Sequence, residues 1–201
     1  MIVLLMSLAS AYLLGSIPPS YLLGRLLKGI DLRQHGSGNV GATNAFRVLG
    51  KGPGITTLLL AVGKGFIAIR ALSAFFESRF AIPIDPLFYQ ILMGLAVVVG
   101  HNWTVFLKFK GGKGVATSCG VFLALAPLTL FWAALGWAVV ALISRNIGFG
   151  SMVGALTLPL IMIFLRKPPT LILFGALMAI SIFYTHKSNI KKINFKGSHN
   201  R

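Results

Sequence analysis

The sequence predicts an all-α, polytopic membrane protein with seven transmembrane helices, its N-terminus outside and its C-terminus in the cytoplasm. Three observations carry this. Hydrophobic residues make up 56% of the 201 residues, whereas only 11% are charged; ordinary globular domains are about 45–50% apolar and about 25% charged. Mean hydropathy is +0.83. Apolar runs long enough to enter a bilayer recur between short, basic, glycine-rich segments. The net charge of +16, set by 19 Lys and Arg against Asp31, Glu77 and Asp85, suits anionic lipid head groups or phosphorylated substrates. Nucleic acid is not expected, because no soluble domain is left to hold it. A lone Cys119 forms no internal disulfide and supports no metal cluster. No metal and no cofactor are expected, since no carboxylate pair presents itself.

The chain opens MIVLLMSLASAYLLGSIPPSYLLGRLLKG, with no basic residue before the apolar run and Arg25 and Lys28 after it. That pattern fits a retained first span with its N-terminus outside better than a cleaved signal peptide. Pro18 and Pro19 either kink the span or mark its cytoplasmic end. A polar segment, 24–54, follows, and span two runs from Ile55 to Phe76 with Lys64 and Arg70 inside it. A lysine at that depth costs about 2.5–3.5 kcal/mol unless paired or hydrated. Lys64 is therefore expected to reach a polar cavity or to snorkel. Span three covers Leu87–Leu107, span six Ser151–Leu165 and span seven Thr170–Thr185.

The 29 residues Val115–Ile143 exceed one span and fall short of two ordinary ones. Charge settles the count. Two short spans broken near Pro127 put fourteen basic residues on one face and leave Arg79, Arg166 and Lys167 opposite, as the positive-inside rule requires. A single span would export the basic tail. The whole of 1–201 is then one integral-membrane domain.

This topology gathers three polar clusters on the cytoplasmic face. In GSGNVGATNAFR, Gly36–Arg47, the side chains of Ser37, Asn39, Thr43 and Asn44 offer hydrogen bonds and Arg47 a bidentate grip on phosphate. Asn39, Thr43 and Asn44 are equally able to cap a short helix. The second cluster, Gly100–Thr117, contains FKGGKG. Glycines there let backbone N–H groups approach an anion, and the helix that follows presents its positive end. It lacks the Walker spacing, so nucleotide hydrolysis is not inferred. Lys108 and Lys110 suit lipid anchoring, whereas Lys113, between Gly112 and Gly114, is the expected phosphate ligand. His101 lies inside span three. The third cluster is His186, Asn189 and Lys192, one stripe if span seven continues as helix.

GSGNVGATNAFR, GHNWTVFLKFKGGKGVAT and HKSNIKK, with YLLGSIP and DLRQHGSGN, resemble the motifs of the bacterial membrane acyl-phosphate:glycerol-3-phosphate acyltransferase family over essentially the whole chain. The resemblance implies transfer of a fatty acyl group from acyl phosphate to the 1-hydroxyl of glycerol 3-phosphate, giving lysophosphatidic acid and phosphate. It also implies the bacterial inner membrane, and a soluble phosphate acyltransferase acting on acyl carrier protein as supplier of the donor. Carried over by position, the substrate-binding residues are Ser37, Asn39, Thr43, Asn44, Arg47, Gly111, Gly112, Gly114, Thr117 and Ser151, and the catalytic ones Lys113, His101, His186 and Asn189. The sequence departs from the family pattern at Ala61, where an Asp is common, at Gly148, where a Ser is usual, and at His199, where Glu is common.

Two other classes were weighed on residues alone. A transporter of a phosphorylated metabolite would suit the intramembrane cations, but the polar residues sit on one face and no inverted repeat is visible. A thioester-dependent acyltransferase would need Asp or Glu five residues after a His, and His101 is followed there by Phe106.

Overall fold

The computed structural model describes residues 1–187, and those residues are mostly helical, without strands. They fall into two compact units, Met1–Leu125 and the chain from Ala126 onward. Five helical stretches are long and apolar enough to cross a membrane: Ile2–Lys28, Lys51–Arg79, Pro86–Leu107, Pro127–Ser144 and Ile147–Phe164. Two shorter apolar helices, Val115–Leu125 and Pro169–Thr185, complete the set.

In the first unit, α1 (Ile2–Ser16) and α2 (Pro19–Lys28) are one span interrupted at Ile17–Pro18. The prolines remove two N–H donors, so the last carbonyls of α1 need other partners. They find them on neighbouring helices. Lys64, buried in α4 (Lys51–Ile67), donates its Nζ to the carbonyls of Gly15 and Ile17. Thr104 Oγ1 donates to Ser16 O at 2.6 Å, and in the reverse direction Tyr12 Oη of α1 donates to the Trp103 carbonyl at 2.8 Å. The two proline expectations are thus resolved as a break. Lys64 neither enters an open cavity nor snorkels: it is 5% exposed and caps the broken helix.

α4 runs through a π-turn, Ala68–Leu72, into α5 (Ser73–Arg79), and Ser73 Oγ bonds back to Ile69 O. α6 (Pro86–Asn102) starts with Asp85 capping Phe88 N at 2.8 Å. It crosses α1 so closely that a Cβ at Gly15 would strike Val97, and one at Gly100 would strike the Tyr12 carbonyl. Only glycine allows that approach.

Residues 24–54, expected to be a polar connection, hold more structure than their composition suggests. α2 extends to Lys28 and ends on Gly29 in the left-handed region (φ 65°), and α3 (Ala42–Leu49) forms inside the first motif. Leu32, Ala45 and Leu49 make a small apolar core with Leu23, Ile30 and Val48. Lys28 Nζ ties the package to Val48 O at 2.8 Å. Gly41 stands at the N-cap of α3 with no side-chain cap, so the capping expected of Asn39, Thr43 or Asn44 is not made.

Between 115 and 143 the chain divides as expected, into α7 (Val115–Leu125) and α8 (Pro127–Ser144), with Pro127 opening α8. In the second unit α8, α9 (Ile147–Phe164) and α10 (Pro169–Thr185) pack in sequence. Their turns place Arg145 and Arg166 at φ 50°.

The capping account gives an expected outcome. A hydrogen bond to a charged group contributes about 1.5–3 kcal/mol, and each kcal/mol moves the melting temperature of a chain this long by about 2–4 °C. Lys64→Met should lower the unfolding temperature in detergent by roughly 3–12 °C. Arg70→Gln, an exposed cation on the same span, should leave it within about 1 °C. A Lys64→Met protein melting with the wild type would refute the cap.

Candidate active site

The second motif is built at the end of α6. After Asn102 the chain makes a 3-10 turn, Val105–Leu107, in which the Phe106 N–H donates to Thr104 Oγ1. It passes through Lys108 and Phe109, both at positive φ (54° and 60°), and folds back on α6. Gly111 N donates to Asn102 O and Gly112 N to His101 O, each at 3.0 Å. This overturns one expectation about FKGGKG. The N–H groups of Gly111 and Gly112 are spent on the chain's own carbonyls and are not aimed at an anion. The glycines are there because a Cβ at Gly111 would strike His101 O, and one at Gly112 the His101 imidazole. Gly114 has φ 80°, and a Cβ there would lie 2.7 Å from Asn102 Oδ1. His101 is buried beneath this loop as the penultimate residue of α6. Lys113 is half-buried at the entry to α7.

The first motif is fixed by Asn44. Its side chain is 2% exposed; Oδ1 accepts from Ser37 N at 2.9 Å, and Nδ2 donates to His35 O at 3.0 Å and Leu32 O at 3.4 Å. An amide so engaged holds the loop 32–37 in shape. Gly36 (φ 62°) lies against the same amide, where a Cβ would clash with Oδ1. Ser37, Thr43 and Arg47 stand exposed and Asn39 half-exposed, so their side chains are open to a ligand. Ser20 Oγ clamps Val40 O at 2.6 Å and joins the motif to α2.

The two loops meet. A polar cavity of about 380 Å³ is lined by Asp31, Arg33, Gln34 and Gly38 from one side and by Lys110 and Gly111 from the other. Asp31 anchors it: Arg33 donates Nη2 to Oδ2 at 2.7 Å and Nε to Oδ1 at 3.0 Å, and the Arg33 backbone N–H also bonds Oδ1 at 3.0 Å. Arg25 stands 3.9 Å from Oδ2. The Arg33 hydrogen bonds hold the Asp31 carboxyl down to about 2, from an ordinary 3.8.

Of the remaining expected residues, Thr117 is fully buried in α7. Ser151, in the second unit, donates its hydroxyl to Ile147 O at 2.8 Å. His186 closes α10, with Nδ1 2.8 Å from Ile182 O. α10 ends at Thr185, and Asn189 and Lys192 of the expected stripe lie outside the described residues. Sequence reasoning missed Asp31, Arg33 and Gln34 as cavity residues. The available signal was Asp31–Leu32–Arg33, a carboxylate and a guanidinium two residues apart immediately before the first motif.

A helical membrane protein with a polar cavity, lined by an arginine and a lysine, between two glycine-containing loops is the class that fold and site define. The family model for glycerol-3-phosphate acyltransferase matches residues 5–196. A protein named glycerol-3-phosphate acyltransferase 2 from Moorella thermoacetica is 44% identical over 192 residues, 94% of this chain and 93% of its own. A glycerol-3-phosphate acyltransferase from Chlorobaculum tepidum is 38% identical over 227 aligned residues, spanning 100% of this chain and 97% of its own. The crystal structure of PlsY, an integral membrane glycerol 3-phosphate acyltransferase, in its glycerol 3-phosphate form superposes with a TM-score of 0.85 at 36% identity. That match covers 96% of this chain and 92% of the other. Its lysophosphatidic acid form gives a TM-score of 0.83. The chain belongs to the glycerol-3-phosphate acyltransferase family.

The Asp31–Arg33 pair has a pH signature. Because the folded carboxyl titrates below its unfolded value, the pair's stabilisation is complete above about pH 4 and is lost as pH falls towards about 2. Asp31→Asn should melt at a lower temperature than wild type at pH 5, and the difference should shrink as pH falls to 2.5. A difference constant over that window would contradict the pairing.

Proposed function

We propose that the protein transfers a fatty acyl group from acyl phosphate to the 1-hydroxyl of glycerol 3-phosphate, giving lysophosphatidic acid and inorganic phosphate without a covalent acyl-enzyme. The observation that carries the reading is the cavity lined by both Arg33, just before the first motif, and Lys110, in the second. It is supported by the family and by PlsY neighbours described in glycerol 3-phosphate and lysophosphatidic acid forms.

The chemistry suits the residues. An acyl phosphate is a mixed anhydride, already activated, so the protein's task is to hold two anions together and orient a hydroxyl. The hydroxyl oxygen forms a bond to the acyl carbon. The carbon–oxygen bond to phosphate breaks, and phosphate leaves with the electron pair. The hydroxyl proton passes to a phosphate oxygen of a substrate, with His101 or His186 as the next candidate. Asp31 is engaged by Arg33 at 2.7 Å and is a poor base. Ser37, Asn39, Thr43, Arg47 and Lys113 bind the phosphates, and the donors around the acyl carbon stabilise developing oxygen charge.

In the same reading the chain is a single integral-membrane domain of seven spans in the bacterial inner membrane. Its N-terminus is outside and its motif loops face the cytoplasm. The 11-residue α7, about 16 Å long by helical rise, counts as the short fourth span. A soluble phosphate acyltransferase supplies the donor.

Purified protein with acyl phosphate and radiolabelled glycerol 3-phosphate should yield labelled lysophosphatidic acid. Acyl-CoA or acyl carrier protein thioester in place of acyl phosphate should yield none. Product from a thioester alone, or a protein-bound acyl group trapped by hydroxylamine before acceptor is added, would overturn the donor and the direct transfer respectively.

A further inference from the structure

The turn after α6 carries more exposed apolar surface than water favours. Of residues 103–109 only Thr104 and Leu107 are buried, at 1% and 4% exposure. Trp103, Val105, Phe106 and Phe109 are exposed, the two phenylalanines at 60% and 59%. Lys108 stands exposed between those two rings in the chain. The turn is nevertheless held from inside: Phe109 N donates to Thr104 O at 2.8 Å and Lys110 N to Leu107 O at 3.2 Å. These bonds keep Lys108 and Phe109 at positive φ, which costs free energy for any residue with a Cβ. The span Pro86–Leu107 ends within this turn, so the exposed rings stand at the edge of the membrane. Pro18 and Leu22, from the break in the first span, meet Phe106 around an apolar cavity of about 270 Å³. Leu26, one turn beyond Leu22 on the same face of α2, is 80% exposed.

Charge completes the pattern. Residues 105–114 hold three lysines and no acid. Asp31, the carboxylate that lines the polar cavity, is already engaged by Arg33 and Arg25. Lys110 lines that cavity, whereas Lys108 is exposed on the outer side of the turn's apolar patch. Going beyond the reaction proposed above, we propose that the turn 103–109 is a lipid wedge. Phe106 and Phe109 seat in the interfacial zone of the bilayer, and Lys108 pairs with the phosphate of an anionic lipid there. Aromatic rings favour that zone, and a lysine stem lies along apolar surface while its ammonium reaches the head groups. An anionic lipid meets both needs at once, chains for the rings and net charge for the ammonium. A zwitterionic lipid meets only the first. A soluble protein partner fits less well, because the patch is continuous with spans that already face lipid.

The full chain in lipid nanodiscs tests this without any measurement of turnover, so the outcome is independent of the acyl-transfer reading. A fluorophore on Phe109→Cys, in a Cys119→Ser background, should emit as in an apolar medium. Lipids carrying a nitroxide near the glycerol should quench it strongly, and iodide in the water only weakly. Val105→Cys repeats the measurement on the same turn with both phenylalanines in place. Quenching of the Val105 label should show about a fivefold preference for nitroxide-bearing phosphatidylglycerol over nitroxide-bearing phosphatidylcholine, weakening as salt is raised. Lys108→Gln and Lys108→Gly should each abolish the preference, whereas Lys108→Arg and Lys110→Gln should keep it. Glycine also relaxes the backbone at position 108, so agreement between the Gln and Gly variants separates charge from strain. Labels quenched by iodide as fully as the free dye would overturn the wedge. Equal quenching by the two lipids with Lys108 in place would overturn the choice of an anionic lipid. A preference that survives Lys108→Gln, or is lost in Lys110→Gln, would remove Lys108 as the cation that binds it.

Discussion

The bonds from Lys64 to the carbonyls of Gly15 and Ile17 are the interaction on which the first unit depends. Where water is scarce, a backbone carbonyl without a partner costs several kcal/mol, and a span broken at two prolines strands several. Satisfying them from α4 and from Thr104 after α6 makes the break a junction of three elements. α2 then leaves the line of α1, and its Ser20 clamps Val40 at the edge of the first motif. An intramembrane lysine that reads as a functional cation is, in the folded chain, the cap that lets the span turn.

The same constraint shapes the second motif. α6 ends at Asn102 with carbonyls still to be satisfied, and Gly111 and Gly112 return to supply the donors. The glycines permit the return by contact distance, because His101 leaves no room for a Cβ. A glycine-rich loop beside lysines has two physical explanations, exposed amides for an anion or a backbone pressed against its neighbour. For Gly111 and Gly112 it is the second. The loop's cations stand at Lys110, which lines the cavity, and at Lys113, at the start of α7.

Much of the fold was legible in the sequence because hydropathy and charge report it directly. The broken pair of helices around Pro127, the turn at Arg166–Pro169 and the limits of α10 follow from apolar length and proline. α9 instead begins at Ile147, ahead of the expected Ser151, because Asn146 caps it. The short helix α3 was less legible, since Gly41 caps it without a side chain and a core of only Leu32, Ala45 and Leu49 holds it. Site residues divided similarly. Residue types placed Ser37, Thr43 and Arg47 on an exposed surface, Ser37 in the loop and the other two on α3, but could not tell that the Asn44 amide faces inward onto His35 and Leu32. Asp31 and Arg33 were missed because a carboxylate two residues from a guanidinium reads as surface charge. Their importance comes from Lys110, 77 residues further along the chain, arriving at the same cavity.

The segment 31–38 and the second-motif loop meet in one polar cavity, with Arg33 and Lys110 both lining it. Whether acyl transfer uses that cavity is tested most directly by turnover of Arg33→Lys and Lys110→Gln, alone and together, with acyl phosphate and radiolabelled glycerol 3-phosphate. Each variant should form lysophosphatidic acid about tenfold more slowly than wild type or worse, with its unfolding temperature little changed. A folded double variant as active as wild type would contradict the account.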